Sequence, residues 1–211
     1  MKLIIIDYGM GNLGSVRRAI EECGEKSTTS GNSADLNGAH GLILPGVGAF
    51  KEGMDRLAAL GLVETIREAV KEGVPLLGIC LGMQLLADHG QEGGDSAGLG
   101  LIPGEIQRFL PTSSSERIPH VGWNQVNWKG KQEIAEEIPP GTDFYFVHSY
   151  HFVPKEESSV AAKTPYCGEF VSAVKRGEVY GTQFHPEKSS RGGFRLLKNF
   201  LELCRTKKTT C

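Results

Sequence analysis

The most constraining stretch of this chain reads Leu76-Leu77-Gly78-Ile79-Cys80-Leu81-Gly82-Met83-Gln84. An apolar run of buried-strand type enters Gly-x-Cys-x-Gly, and a helical pattern over residues 81–87 begins at once. Glycines two places either side of Cys80 leave room for a sharp strand-to-helix turn. Such a turn lifts the cysteine above the sheet edge at a helix start, where unpaired N–H groups and the helix dipole favour a thiolate. The Leu81 N–H is then placed to bind an oxyanion. The competing reading is a buried cysteine packed as a small hydrophobe. Strand, turn and helix in this order favour a nucleophile.

The same alternation runs through the first half. Residues 3–7 read as a strand, 13–23 as a helix closed by Gly24, and 41–44 as a strand ended by Pro45-Gly46. Residues 50–72 read as a helix broken at Gly61, and 74–79 as the strand before Cys80. Strands separated by helix-length segments imply βαβ units and a mainly parallel sheet. The second half is strand-like over residues 106–109, 121–128, 143–148, 160–164, 170–175 and 178–184. A hairpin turn is expected at Arg176-Gly177, a closing helix at 193–204, and a mobile surface loop at 112–116. With 211 residues and no long linker, residues 1–205 read as one α/β domain and 206–211 as a loose tail.

A nucleophilic cysteine needs a base. Five of the six histidines, His40, His89, His120, His148 and His151, lie near turns or irregular stretches. His148 and His151 form His-x-x-His, but no cysteine or carboxylate cluster nearby completes a metal site. His185 instead ends a strand pattern and is followed by Pro186-Glu187. In extended chain, residues i and i+2 share a face, so Glu187 can orient the imidazole and stabilise its charged form. Pro45-Gly46-Val47-Gly48, directly after a strand, can aim backbone N–H groups into a site as a second oxyanion donor.

Other classes are less well supported. Gly9-Met10-Gly11-Asn12-Leu13-Gly14 matches a dinucleotide-binding fingerprint, but the ribose-binding acid expected at the end of the second strand is replaced by Thr28-Thr29-Ser30. Net charge is −2 with no basic cluster outside Lys207-Lys208, unlike a nucleic-acid footprint. No run approaches the ~18 apolar residues of a membrane span. Five widely spaced cysteines without a Cys-x-x-Cys pair suggest free thiols and a cytoplasmic protein.

Taken together, the Cys80 turn and His185-Pro186-Glu187 resemble the triad-type glutamine amidotransferases. Asp7-Tyr8-Gly9-Met10-Gly11-Asn12-Leu13, Pro45-Gly46-Val47-Gly48-Ala49-Phe50 and Pro119-His120-Val121-Gly122-Trp123-Asn124 narrow this to the glutaminase-subunit branch of the imidazole glycerol phosphate synthases. The resemblance spans nearly the whole chain. It implies a flavodoxin-like sheet flanked by helices, with added antiparallel strands, and no metal or cofactor. It also implies glutamine hydrolysis through a Cys80 thioester, with His185 and Glu187 completing the triad and Val47 and Leu81 supplying the oxyanion hole. Gly46, Gly48, Gln84, Ser149 and Tyr150 would hold the substrate. Trp123 and Lys188 would lie near a partner cyclase subunit of (β/α)8-barrel fold, and the Pro45–Gly48 loop would act as a switch by flipping a peptide. The glycine-rich segment 87–99 carries no residue over from the family. Alternatives left open are a glutaminase feeding pyridoxal phosphate synthesis, a cysteine peptidase of the same fold, and a non-catalytic binding protein.

Overall fold

The computed structural model describes residues 1–114 and 116–206. Its first half runs β1 (Leu3–Ile6), α1 (Leu13–Glu22), β2 (Thr28–Ser30), α2 (Ser33–Leu36), β3 (Gly41–Gly46), α3 (Phe50–Ala59), α4 (Leu62–Lys71), β4 (Leu76–Cys80) and α5 (Leu81–Gln84). Strands β1, β3 and β4 are buried along their full length, as their unbroken apolar character requires. Leu3, Ile5, Ile43, Leu77 and Ile79 pack in the same cluster as the apolar faces of α1 and the C-terminal helix. The alternate residues Ile4, Ile6, Leu42, Leu44 and Leu76 pack with α3 and α4. Gly61, at φ +65, separates α3 from α4 at the expected break.

The second half runs β5 (His89–Gly90), β6 (Ser96–Ala97), β7 (Gly104–Arg108), β8 (His120–Gln125), β9 (Asn127–Trp128), β10 (Asp143–His148), β11 (Tyr150–Pro154), β12 (Val160–Thr164), β13 (Phe170–Arg176), β14 (Val179–Thr182) and α6 (Ser190–Thr206). Among the described residues, twelve strands form one sheet whose path is β2-β1-β3-β4-β14-β13-β11-β7-β5-β6, with β12 on β13 and β9 on β12. The pairings from β2 through β14 are parallel. Their order is that of a doubly wound, flavodoxin-like sheet. Strands β10 and β8 form a separate antiparallel ribbon.

Several expectations are corrected. Strand β3 continues through Pro45-Gly46, because β1 pairs it only as far as Ile43 and Pro45 therefore needs no N–H on that side. Helix α5 stops at Gln84, not residue 87. Backbone N–H groups of Leu99, Leu101, Ile102 and Gly100 fold back onto the carbonyls of Leu85, Leu86 and Ala87, so the cysteine gains little from a macrodipole. Residues 121–128 divide at the buried Val126 into β8 and β9, which join different sheets. The hairpin turn sits one residue later than expected, between Arg176 and Val179, with Gly177 at φ +56. Helix α6 extends to Thr206, where Arg205 pairs with Glu25 at 3.0 Å. Residues 207–211 of the expected tail lie outside the described residues. In the expected loop 112–116, the Glu116 carboxylate accepts the N–H groups of Thr112 and Ser113 at 2.6 and 3.1 Å. No helix among the described residues is long and apolar enough to cross a membrane.

The turn after β4 is possible only because residues 78 and 82 lack side chains. A Cβ at Gly78 would lie 2.6 Å from the Gly82 carbonyl oxygen, and one at Gly82 would overlap the Leu44 carbonyl. Both obstacles are backbone and cannot swing aside. Gly82→Ala should therefore destabilise the protein by about 3 kcal/mol or more, read as a lowered denaturant midpoint.

Candidate active site

Cys80 occupies the left-handed region, at φ +54 and ψ −110, where non-glycine residues are strained. The parallel register aligns Gly46 of β3 with Cys80, and Ile79 with Thr182 of β14. The carboxyl ends of three neighbouring strands thus bring Gly46, Cys80 and the chain leading to His185 to one edge of the sheet. This is where open α/β sheets place their ligands.

Beyond β14 the chain stays pinned. The His185 N–H donates to the Tyr145 carbonyl at 2.9 Å. The Ser189 hydroxyl donates to the His185 carbonyl at 2.6 Å and accepts the Tyr145 N–H at 3.0 Å. Glu187 does meet His185, with Oε1 2.8 Å from Nδ1 and the two side chains 2% and 3% exposed. The cause differs from the expected one. Pro186 starts a 3-10 turn, Pro186–Lys188, which brings the carboxylate back to the ring's Nδ1 edge.

Because Glu187 accepts at Nδ1, that nitrogen keeps its proton and Nε2 is the nitrogen that titrates. Nε2 is buried with no hydrogen-bond partner. Burial would depress the imidazole, but its interactions with the nearby Cys80 thiol and with Glu187 outweigh it and push its pKa up to about 9. The carboxylate therefore holds the ring at Nδ1, and the thiol lies close enough to stabilise its charge. That arrangement can take a proton from sulfur and hold it as an ion pair.

A cavity of about 410 Å³ opens beside the thiol, with Val47, Gly48, Cys80, Leu81, Gln84, Ser149 and Tyr150 in its wall. Gly46 lies just behind this wall, packed closely against the Tyr8 hydroxyl and the Leu81 side chain. Gly48 is at φ +111, a conformation in which only glycine rests without strain. Tyr8 is buried with its hydroxyl unpaired, and burial, then the nearby Cys80, raise its pKa. The glycine fingerprint at residues 9–14 serves loop packing: Gly11 approaches Pro45, and Met10 touches the space above Gly48.

Two cavity-side residues escaped the sequence reading. Gln183 donates to the Cys80 sulfur at 3.7 Å and accepts from Gln84 Nε2 at 3.0 Å. Its signal was position, since it lies two residues before His185 at the same strand end. Glu92 also lines the cavity, although it belongs to the glycine-rich segment credited with no role. Burial raises its carboxyl pKa, opposed by a hydrogen bond from the Phe50 backbone. Of the expected interface residues, Trp123 lies on the ribbon and Lys188 in the 3-10 turn after His185. Trp123 is 54% exposed, its ring is 6.1 Å from that of Tyr145, and the Lys188 ammonium lies 5.8 Å from Tyr145. Exposed Val121 and Val147 are paired in register, and Val147 also lines the cavity.

A doubly wound sheet bearing a cysteine at this turn, with His185 and Glu187 at the next strand end, defines a class. The family model of class-I glutamine amidotransferases matches residues 4–204, and the chain belongs to that family. It is 52% identical to the imidazole glycerol phosphate synthase subunit HisH of Moorella thermoacetica, over 96% of this chain and 95% of that one. The HisH subunit of Aquifex aeolicus is 46% identical, over 95% of this chain and 96% of that one. A solved glutamine amidotransferase superposes with a TM-score of 0.76 at 21% identity, covering 97% of this chain and 100% of that one. A glutamine amidotransferase from Thermotoga maritima gives 0.64 at 18% identity, over 99% of this chain and 85% of that one. These last two show a shared fold.

The Glu187 charge favours the imidazolium, so its removal must lower the ionisation midpoint. In Glu187→Gln the His185 transition should move down from about 9, read from imidazole NMR shifts or the pH dependence of Cys80 alkylation.

Proposed function

We propose that this chain is the glutaminase subunit of an imidazole glycerol phosphate synthase, hydrolysing glutamine and passing ammonia to a cyclase in histidine biosynthesis. The observation that carries the reading is Cys80 in the cavity wall with the buried His185–Glu187 pair at the neighbouring strand end, in a chain 52% identical to a HisH subunit along nearly its whole length.

In this reading Nε2 of His185 takes the thiol proton and the Cys80 sulfur attacks the glutamine side-chain carbonyl. Negative charge then develops on the carbonyl oxygen, and the N–H groups of Leu81 and Val47 receive it. The imidazolium returns its proton to the leaving nitrogen, the C–N bond breaks, and ammonia departs from a glutamyl thioester. Water, deprotonated by the same imidazole, adds to the thioester and releases glutamate and the thiol. Glu187 holds the proton on Nδ1 throughout and steadies the charged ring.

The substrate's polar groups have counterparts in the wall. Gln84 spends both amide hydrogens on Tyr150 O and Gln183 Oε1, each at 3.0 Å, which leaves its Oε1 to accept from the substrate. Glu92 suits the α-ammonium group, because a carboxylate in a sheltered wall binds a cation strongly. Gly46, Gly48, Ser149 and Tyr150 would contribute backbone contacts. The Val47–Gly48 peptide is the switch, since glycine at 48 lets it rotate to present or withdraw the Val47 N–H.

Ammonia must leave without meeting bulk water. The exposed apolar face of Val121, Trp123 and Val147 adjoins the cavity through Val147. We assign that face, with Lys188, to docking of a (β/α)8-barrel cyclase subunit in a heterodimer. The described cysteines are free thiols, as a reducing cytoplasm would keep them.

Ammonia release should be nearly silent for the isolated chain and rise when a cyclase and its ribotide ligand are added. Cys80→Ala should release none in either state, while free ammonia still supports the cyclase. Wild-type turnover by Cys80→Ala would end the proposal. Glu92→Gln should raise KM for glutamine by about 10- to 100-fold with a smaller change in kcat.

A further inference from the structure

Two buried histidines have no place in the mechanism above. His120 is the first residue of β8 and His148 the last of β10, and they are register partners in the ribbon. His120 Nδ1 lies 3.1 Å from His148 Nε2, and His148 Nδ1 lies 2.7 Å from the Tyr150 carbonyl. At the other end, Asn124 Nδ2 is 3.3 Å from His120 Nε2.

The donor directions in this chain follow from one end to the other. A carbonyl only accepts, so His148 must carry its proton on Nδ1, and in a neutral ring Nε2 then accepts. His120 must therefore donate from Nδ1, and its Nε2 accepts from Asn124. The Asn124 amide is oriented independently, since Nδ2 also donates to the Pro165 carbonyl at 3.0 Å and Oδ1 accepts the Gln125 N–H at 2.9 Å. Every member is satisfied, and both rings must be neutral with the proton on Nδ1. The packing agrees: His120 stacks on Tyr166 and Phe146, with centroids 3.9 and 4.8 Å apart. Burial depresses the pKa values of His120 and His148 to about 4 and about 3. The titratable groups acting on His148 are His120, His151 and His185.

The far end of this chain is the reaction site. The Tyr150 carbonyl that accepts from His148 also accepts from Gln84 Nε2 at 3.0 Å; Gln84 donates to Gln183, and Gln183 to the Cys80 sulfur. The neighbouring Ser149 carbonyl is held by the Phe109 N–H at 3.0 Å. Ser149 is the single residue between β10 of the ribbon and β11 of the main sheet. Its backbone is therefore set where two sheets meet, and the histidine pair clamps that junction from the ribbon side.

We propose that His120 and His148 act as a pair of positioning residues. Through fixed Nδ1–H tautomers they hold the Ser149–Tyr150 backbone, and with it the Gln84 amide, in register with Cys80. The assignment rests on the glutaminase reading for what the cavity binds, but not for the tautomers. It also makes the ribbon, whose outer side carries Trp123 and Val121, mechanically continuous with the substrate wall.

The test separates the two readings. In the native protein, nitrogen-15 shifts of His120 and His148 should both report the neutral Nδ1–H tautomer at pH 7. An Nε2–H tautomer or an imidazolium at either ring overturns the proposal whatever the activity. His120→Phe keeps the stack on Tyr166 and removes the donor. It should weaken saturation by a diazoketone analogue of glutamine about tenfold, while alkylation of Cys80 by iodoacetamide stays within about twofold. His120→Asn, which restores an amide donor near the Nδ1 position, should recover most of that loss. Unchanged saturation in His120→Phe, or no difference between the Phe and Asn variants, would assign the pair to packing alone. If His120→Phe does not fold, the native tautomers and the contrast of His120→Asn with His120→Gln decide. Failure of the analogue to label Cys80 in the native protein would instead count against the glutaminase reading.

Discussion

The left-handed backbone at Cys80 is the strain around which the sheet is organised. A non-glycine residue held there costs roughly 1–3 kcal/mol and persists only when its surroundings leave no alternative. Here β4 is fully buried between β3 and β14, and Gly78 and Gly82 let the returning chain touch the strand it has just left. The short α5 contributes first-turn N–H groups and little dipole, because the returning loop captures the carbonyls that would extend it.

Around that residue the polar groups are used almost completely. Tyr150 O accepts twice, Gln84 donates twice, and Gln183 bridges to sulfur. Against this background three buried but unpaired atoms stand out among the described residues here: Nε2 of His185, Oε2 of Glu187 and the Tyr8 hydroxyl. The first is the atom that the proposed mechanism uses as base. The last packs against Gly46, at the start of the loop proposed as a switch.

The sequence showed the parts with strong local causes. Buried parallel strands read as apolar runs, Gly61 marked a helix break, and Gly78-x-Cys80-x-Gly82 marked the turn. His185 and Glu187 were paired correctly but for a partly wrong reason, since a 3-10 turn and not an extended chain brings them together. What stayed hidden depends on long-range return of the chain. Glu92 lies in a glycine-rich segment without periodicity, and only the folding of β5 and β6 against the β7 edge carries it to the cavity. Strand β11 was invisible because Tyr150–Pro154 mixes aromatic and polar residues and takes its register from β7. His120 and His148 looked like turn histidines until the ribbon paired them.

The pairing of β14 with β4 has a temporal consequence. Cys80 and His185 are separated by about half the described chain, and β14 is synthesised well after β4. Until it docks between β4 and β13, Cys80 has neither the neighbouring imidazole nor the Gln183 contact to its sulfur. A growing or truncated polypeptide therefore carries an ordinary cysteine, and the hydrolytic capacity is born only with the completed sheet.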